Sequence, residues 1–84
     1  MDRYVRVFQR GRFTFLRFTD IFKVLENNDD WESVVVNVDE DSEMASQYSV
    51  RGIPMTILEV DGNIVEKKTG VISRDELEKS LSTL

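Results

Sequence analysis

The sequence has 84 residues, 40% hydrophobic and 32% charged, with one proline, four glycines, no cysteine and no histidine. That balance is globular and fits one domain over 1–84, while the two missing residue types exclude disulfides, thiolate nucleophiles, zinc fingers, imidazole bases and Ser-His-Asp triads. The net charge of −5 is polarised: Arg3, Arg6, Arg10, Arg12 and Arg17 against Asp2 leave the opening segment at +4 and the remainder at −9.

Tyr4-Val5-Arg6-Val7-Phe8 alternates with period two and is rich in β-formers, which predicts a strand ending near Gly11. Phe15, Phe18, Phe22 and Leu25, with Ile21 beside them, recur at three- and four-residue steps and predict a helix over about 14–28, closed by Asn27-Asn28-Asp29-Asp30. The run Val34-Val35-Val36-Asn37-Val38 is β-branched without clean alternation, the pattern of a strand covered on both faces, so helices are expected on both sides of a sheet. Asp41 or Ser42 is placed to cap a second helix through about residue 49 that buries Met44, Ala45 and Tyr48. Asp39, Glu40, Asp41 and Glu43 then lie at its positive end and read as capping residues rather than metal ligands, because the sixth-position glycine and closing glutamate of a calcium loop are missing. Strands over 55–60 and 63–68 flank Asp61-Gly62, a two-residue hairpin signal. Ser73 with Glu76 forms a capping box ahead of the Leu77, Leu81, Leu84 stripe.

The order βαβαββα combines a parallel crossover with a terminal hairpin, which implies a four-stranded mixed sheet in a three-layer α/β/α sandwich. Tyr4, Phe8 and Phe22 are expected in the core, Trp31 at the entrance to the valine strand, and Arg6 paired with an acidic side chain or turned to an edge, since an unpaired buried charge costs several kcal/mol. No apolar run approaches the roughly 20 residues that span a bilayer. The first residues carry no signal-peptide stretch either, so a cytoplasmic protein without membrane contact is expected.

Asn37-Val38-Asp39, Tyr48-Ser49-Val50-Arg51-Gly52-Ile53-Pro54, Asp61-Gly62-Asn63-Ile64-Val65 and Gly70-Val71-Ile72-Ser73 follow one another in the order and spacing of the thioredoxin family, which the chain resembles from Asn37 onward. The resemblance implies that Pro54 follows a cis peptide bond beside the family's active site and that the backbone before it pairs with extended peptide. It places Arg12-Phe13-Thr14-Phe15, within about one position, where thioredoxins carry Cys-Gly-Pro-Cys. Arg6 falls where many of them have a buried aspartate, and Asp20 where they have a helix-kinking proline. The family's leading strand and helix have no counterpart, so the outline resembles the shorter glutaredoxin-like core.

Dithiol exchange needs a sulfur anion, which this sequence lacks, so no redox enzyme and no cofactor is expected. The resemblance implies that the first loop and the proline loop converge, and a protein or peptide partner is expected there, an acidic one fitting the arginines best. Candidate binding residues are Arg10, Arg12, Phe13, Thr14, Arg51, Ile53 and Pro54, with Phe13 as the aromatic anchor. Arginine and aromatic residues supply most interface hot spots, although loop arginines that are merely solvated fit the sequence equally well. A monomer or weak dimer is expected. The alternative is a single-stranded nucleic-acid binder that stacks bases on Phe13 and contacts phosphates through Arg10, Arg12 and Arg17. The acidic remainder of the chain argues against it, and no carboxylate pair or perturbed lysine suggests catalysis without thiols.

Overall fold

The computed structural model describes residues 2–10, 23 and 28–83. Six elements run in the order β1 (Arg3–Gln9), β2 (Glu32–Asn37), α1 (Ser42–Gln47), β3 (Met55–Val60), β4 (Asn63–Thr69) and α2 (Arg74–Thr83). The expected helix over 14–28 lies outside the described residues except for Lys23, which is helical and exposed, and Asn28, which is not helical.

The strands form one sheet in the order β2-β1-β3-β4. β1 runs parallel to β2, with Tyr4 opposite Glu32 and Gln9 opposite Asn37, and antiparallel to β3, with Phe8 opposite Met55. β3 and β4 form an antiparallel hairpin. Its turn is Asp61-Gly62, both in the left-handed region at φ 51° and 85°, the backbone that a type I′ turn demands and that glycine adopts without steric cost.

Strand alternation sorts the core into two layers. Val5, Val7 and Leu58 point to one face and are covered by Trp31, Ile72 and the Leu77 and Leu81 stripe of α2. Phe8, Val36, Met55 and Ile57 point to the other, where Met44, Tyr48 and Val50 from α1 and the segment after it pack on them. Helices therefore lie on both faces. α1 starts at Asp41, whose carboxylate accepts the Met44 N–H at 3.1 Å, and α2 is preceded by Ser73, whose hydroxyl accepts the Glu76 N–H at 3.2 Å, so both expected caps form.

Three expectations are corrected. Among the described residues β2 is an edge strand and not one covered on both faces: Val36 is buried, but Val35 is 44% exposed. The β-branched run encodes a strand, but it does not encode how many neighbours the strand has. Met44, Ala45 and Tyr48 are only half-buried, and no residue of the six-residue α1 is fully buried. Tyr4 is likewise half-buried, while Phe8 is fully enclosed.

Arg6 occupies the part of that face beyond α1. Its Nε donates to Glu59 Oε2 at 2.8 Å, and the Tyr48 hydroxyl donates to the same oxygen at 2.7 Å. The guanidinium lies 5.1 Å from the centre of the Tyr4 ring and 5.2 Å from that of Tyr48, a cation held between two aromatic faces. The hydrogen bond from Arg6 holds the Glu59 carboxyl below the usual glutamate range, with a further contribution from Tyr48. Burial, together with the hydrogen bond to Glu59, pushes the Tyr48 phenol up. Arg6 thus takes the acidic partner that its central position required.

Two outcomes follow. Leu77, 1% exposed, anchors α2 to the sheet, and Leu77→Ala is expected to cost about 2–5 kcal/mol. That is a large share of the roughly 4–12 kcal/mol available to a chain of this size, so urea denaturation should show a much lower midpoint. Glu59 titrates lower in the folded than in the unfolded state, so its stabilisation is complete above the ordinary value of about 4.3 and is lost as pH falls through the depressed folded value. Glu59→Gln should therefore be less stable than wild type by about 1–3 kcal/mol at pH 7, and the difference should disappear as pH falls through the depressed folded value of Glu59.

Candidate functional site

β1 and β2 are parallel and end together at Gln9 and Asn37, while β3 starts beside Phe8 at Met55 and β4 ends opposite Met55 at Thr69. One end of the sheet thus collects four connections: the residues after Gln9, the Val38–Ser42 turn, the loop over 49–54 and the loop at Gly70. Ligands of open α/β sheets commonly bind at strand carboxyl ends.

The turn after β2 is built by Asn37. Its side chain accepts the Asp39 N–H at 3.0 Å, and its carbonyl accepts the N–H groups of Glu40 and Asp41 at 3.0 and 2.9 Å. This presents Asp39 to Arg10, whose Nε lies 3.1 Å from Asp39 Oδ1 in an exposed ion pair. The loop over 49–54 starts from an anchored Tyr48. Its hydroxyl is bound to Glu59, its ring lies 5.6 Å from that of Phe8, and its carbonyl accepts the Lys67 ammonium at 2.8 Å. Ser49 turns the chain at φ 55°, and the Val50 N–H returns to the Ala45 carbonyl at 2.9 Å. The Ile53–Pro54 peptide bond is cis, and the Pro54 carbonyl accepts the Gly70 N–H at 2.8 Å.

Residues of the first three connections, with Ala45 of α1, line an open cavity of about 330 Å³: Arg10, Val38, Ser42, Ala45, Val50, Arg51 and Ile53. Of the candidate residues, Arg10, Arg51 and Ile53 come together on it. Pro54 is half-buried behind them. Arg12, Phe13 and Thr14 lie outside the described residues. Sequence reasoning did not select Asp39, Val38, Ala45 or Val50 for the site, nor Val71, which follows Gly70 and is 52% exposed. The family-like segments Asn37-Val38-Asp39 and Gly70-Val71 were the available signal, since both flank strand termini at the same end of the sheet.

The cavity lining combines the aliphatic side chains of Val38, Ala45, Val50 and Ile53 with two arginines, Arg10 and Arg51. Asp39 offsets the charge of Arg10, whereas Arg51 is exposed and has no ion-pair partner among the described residues. That arrangement suits an apolar group carrying one negative charge, held without covalent chemistry.

The thioredoxin family model matches residues 17–83, starting C-terminal to Arg12, Phe13 and Thr14. Thioredoxin of Mycoplasmoides gallisepticum is 37% identical over 59 residues, covering 70% of this chain and 59% of that protein. Thioredoxin of Pseudomonas aeruginosa is 40% identical over 42 residues, covering 50% of this chain and 39% of that one. The chain thus spans between about two fifths and three fifths of the length of these relatives. Among solved structures, a point mutant of thioredoxin from Halobacterium salinarum superposes with a TM-score of 0.87 at 26% identity, over 98% of this chain and 74% of that one. With four fifths of its residues matched by the family and its sheet and flanking helices superposing on a member, the chain belongs to the thioredoxin family.

Proposed function

We propose that the chain is a redox-inactive thioredoxin-like module that binds a protein or peptide partner through the loop after β1 and the proline loop. One observation carries the reading. Arg10, Arg51 and Ile53, from loops distant in sequence, line one cavity at the end of the sheet, in a chain with no cysteine for dithiol exchange. The aliphatic lining takes an apolar side chain, Arg51 meets an acidic group beside it, and the backbone before Pro54 offers hydrogen bonds to an extended segment. Arg12, Phe13 and Thr14 belong to the same surface in this proposal. A cytoplasmic site of action is part of it. No helix among the described residues is long and apolar enough to cross a membrane.

Nucleic-acid binding finds no support of this kind. Arg6 is committed to Glu59, Arg3 lies over Trp31, and Arg10 faces Asp39, so the described arginines of the basic opening segment are already engaged within the fold.

The test is affinity capture of a partner followed by measurement of its binding to variants. Arg51→Ala and Ile53→Ala, and the double change of Arg12 and Phe13 to alanine, should each weaken binding at least about tenfold, which corresponds to about 1.4 kcal/mol. Unchanged affinity in all three would place the contact elsewhere. Dithiothreitol-driven insulin reduction should proceed no faster with the protein than without it, and turnover would overturn the redox-inactive reading.

A further inference from the structure

The two edges of the sheet are built differently. β4 carries Glu66, Lys67 and Lys68 in succession, and its pairing with β3 shifts register between Leu58 and Glu59, leaving Val65 as an extra residue in the strand. Charges, lysines above all, and a bulge are the devices by which a sheet edge is kept from pairing with other chains. Beyond Glu32 at its start, β2 has neither device. Its register against β1 is unbroken from Glu32 to Asn37, and Ser33-Val34-Val35-Val36-Asn37 contains no charge, no proline and three β-branched valines.

The direction of its main-chain groups follows from one hydrogen bond. The Val38 N–H donates to the Gln9 carbonyl at 2.9 Å, and in a parallel ladder alternate residues address alternate neighbours. Glu32, Val34 and Val36 therefore turn their N–H and C=O groups inward to β1, and Ser33 and Val35 turn theirs to the open edge. The Asn37 carbonyl is already taken by Glu40 and Asp41, which marks where the free edge stops. Val35 is also the exposed valine of the strand.

From this edge we infer that two copies of the chain associate through antiparallel pairing of β2 with β2, joining their sheets into one. The two-fold register centred on Val34 sets Ser33 of each copy opposite Val35 of the other as the hydrogen-bonded pairs, so every outward N–H and C=O of these residues finds a partner. The small serine lets the Val35 side chain of the second copy pack down beside it. Charge favours this strip over the rest of the surface. Two chains at −5 repel each other, yet the paired segment is neutral. The Glu32 side chains fall at opposite ends of the ribbon, about 13 Å apart along the strand and beyond the Debye length of about 8 Å at physiological salt. The area covered by one strand edge is far below the roughly 1,200–2,000 Å² of stable interfaces, so the dimer is weak and concentration-dependent.

Sedimentation velocity over a wide concentration series, with amide hydrogen exchange at both extremes, tests this independently of the Arg51 cavity. Monomer should convert to dimer as concentration rises, and the Ser33 and Val35 amides should become protected over the same range. Val35→Lys should weaken association at least about tenfold, with an unchanged circular dichroism spectrum showing that it folds. Ile64→Lys on β4 should leave association as in wild type. A protein that stays monomeric throughout would overturn the proposal, and would leave this edge to a strand of a different chain. Dimerisation unaffected by Val35→Lys, or Ser33 and Val35 amides already protected at the lowest concentration, would overturn it as well.

Discussion

A positive charge in the middle of a central strand sets the terms for this fold. Arg6 is flanked in β1 by Val5 and Val7, which are wholly enclosed, so its guanidinium had to be neutralised within reach of the sheet. Glu59 on the neighbouring strand does this while itself only 8% exposed, and the rings of Tyr4 and Tyr48 close over the cation. The group does more than offset a charge. α1 spans only six residues, none of them fully buried, and the rings of Tyr4 and Tyr48 with the arginine between them add apolar cover to the sheet.

The same interaction positions the surface at the strand ends. Tyr48 stands at the end of α1, six residues before Pro54, and it is fixed by Glu59, Phe8 and Lys67 at three different points. Where Arg51 and Ile53 are displayed therefore depends on a network further along the sheet. In this chain a cation sits on the strand face and no cysteine is present, yet the loop that presents Ile53 follows directly from the anchored Tyr48.

Features decided by neighbours in sequence were legible in the sequence. Asp61-Gly62 specified the hairpin because only a few residue types accept two successive left-handed conformations, and the Asp41 and Ser73 caps followed from hydroxyl or carboxylate geometry over three residues. Features decided by pairing across the chain were not. The valine run could not reveal that its strand has a single neighbour among the described residues, and nothing near Arg6 pointed to Glu59, 53 positions away. The site was legible in part for the same reason. A family-like segment carries Arg51 and Ile53 to the cavity that Arg10 also lines, while the ion pair of Arg10 with Asp39 has no local signature.

The amino end of β1 has its own attachment. The Asp61 N–H donates to the Asp2 carbonyl at 2.7 Å, and the Asp2 N–H donates to the Asp61 carboxylate at 2.8 Å, clasping the first described residue to the hairpin tip. β1 separates that clasp from Arg10 by about 20 Å of extended chain. A biotin, a fluorophore or a fused carrier attached ahead of Asp2 thus emerges at the pole opposite the proline loop, so the molecule can be immobilised by its head with that loop left facing the solution.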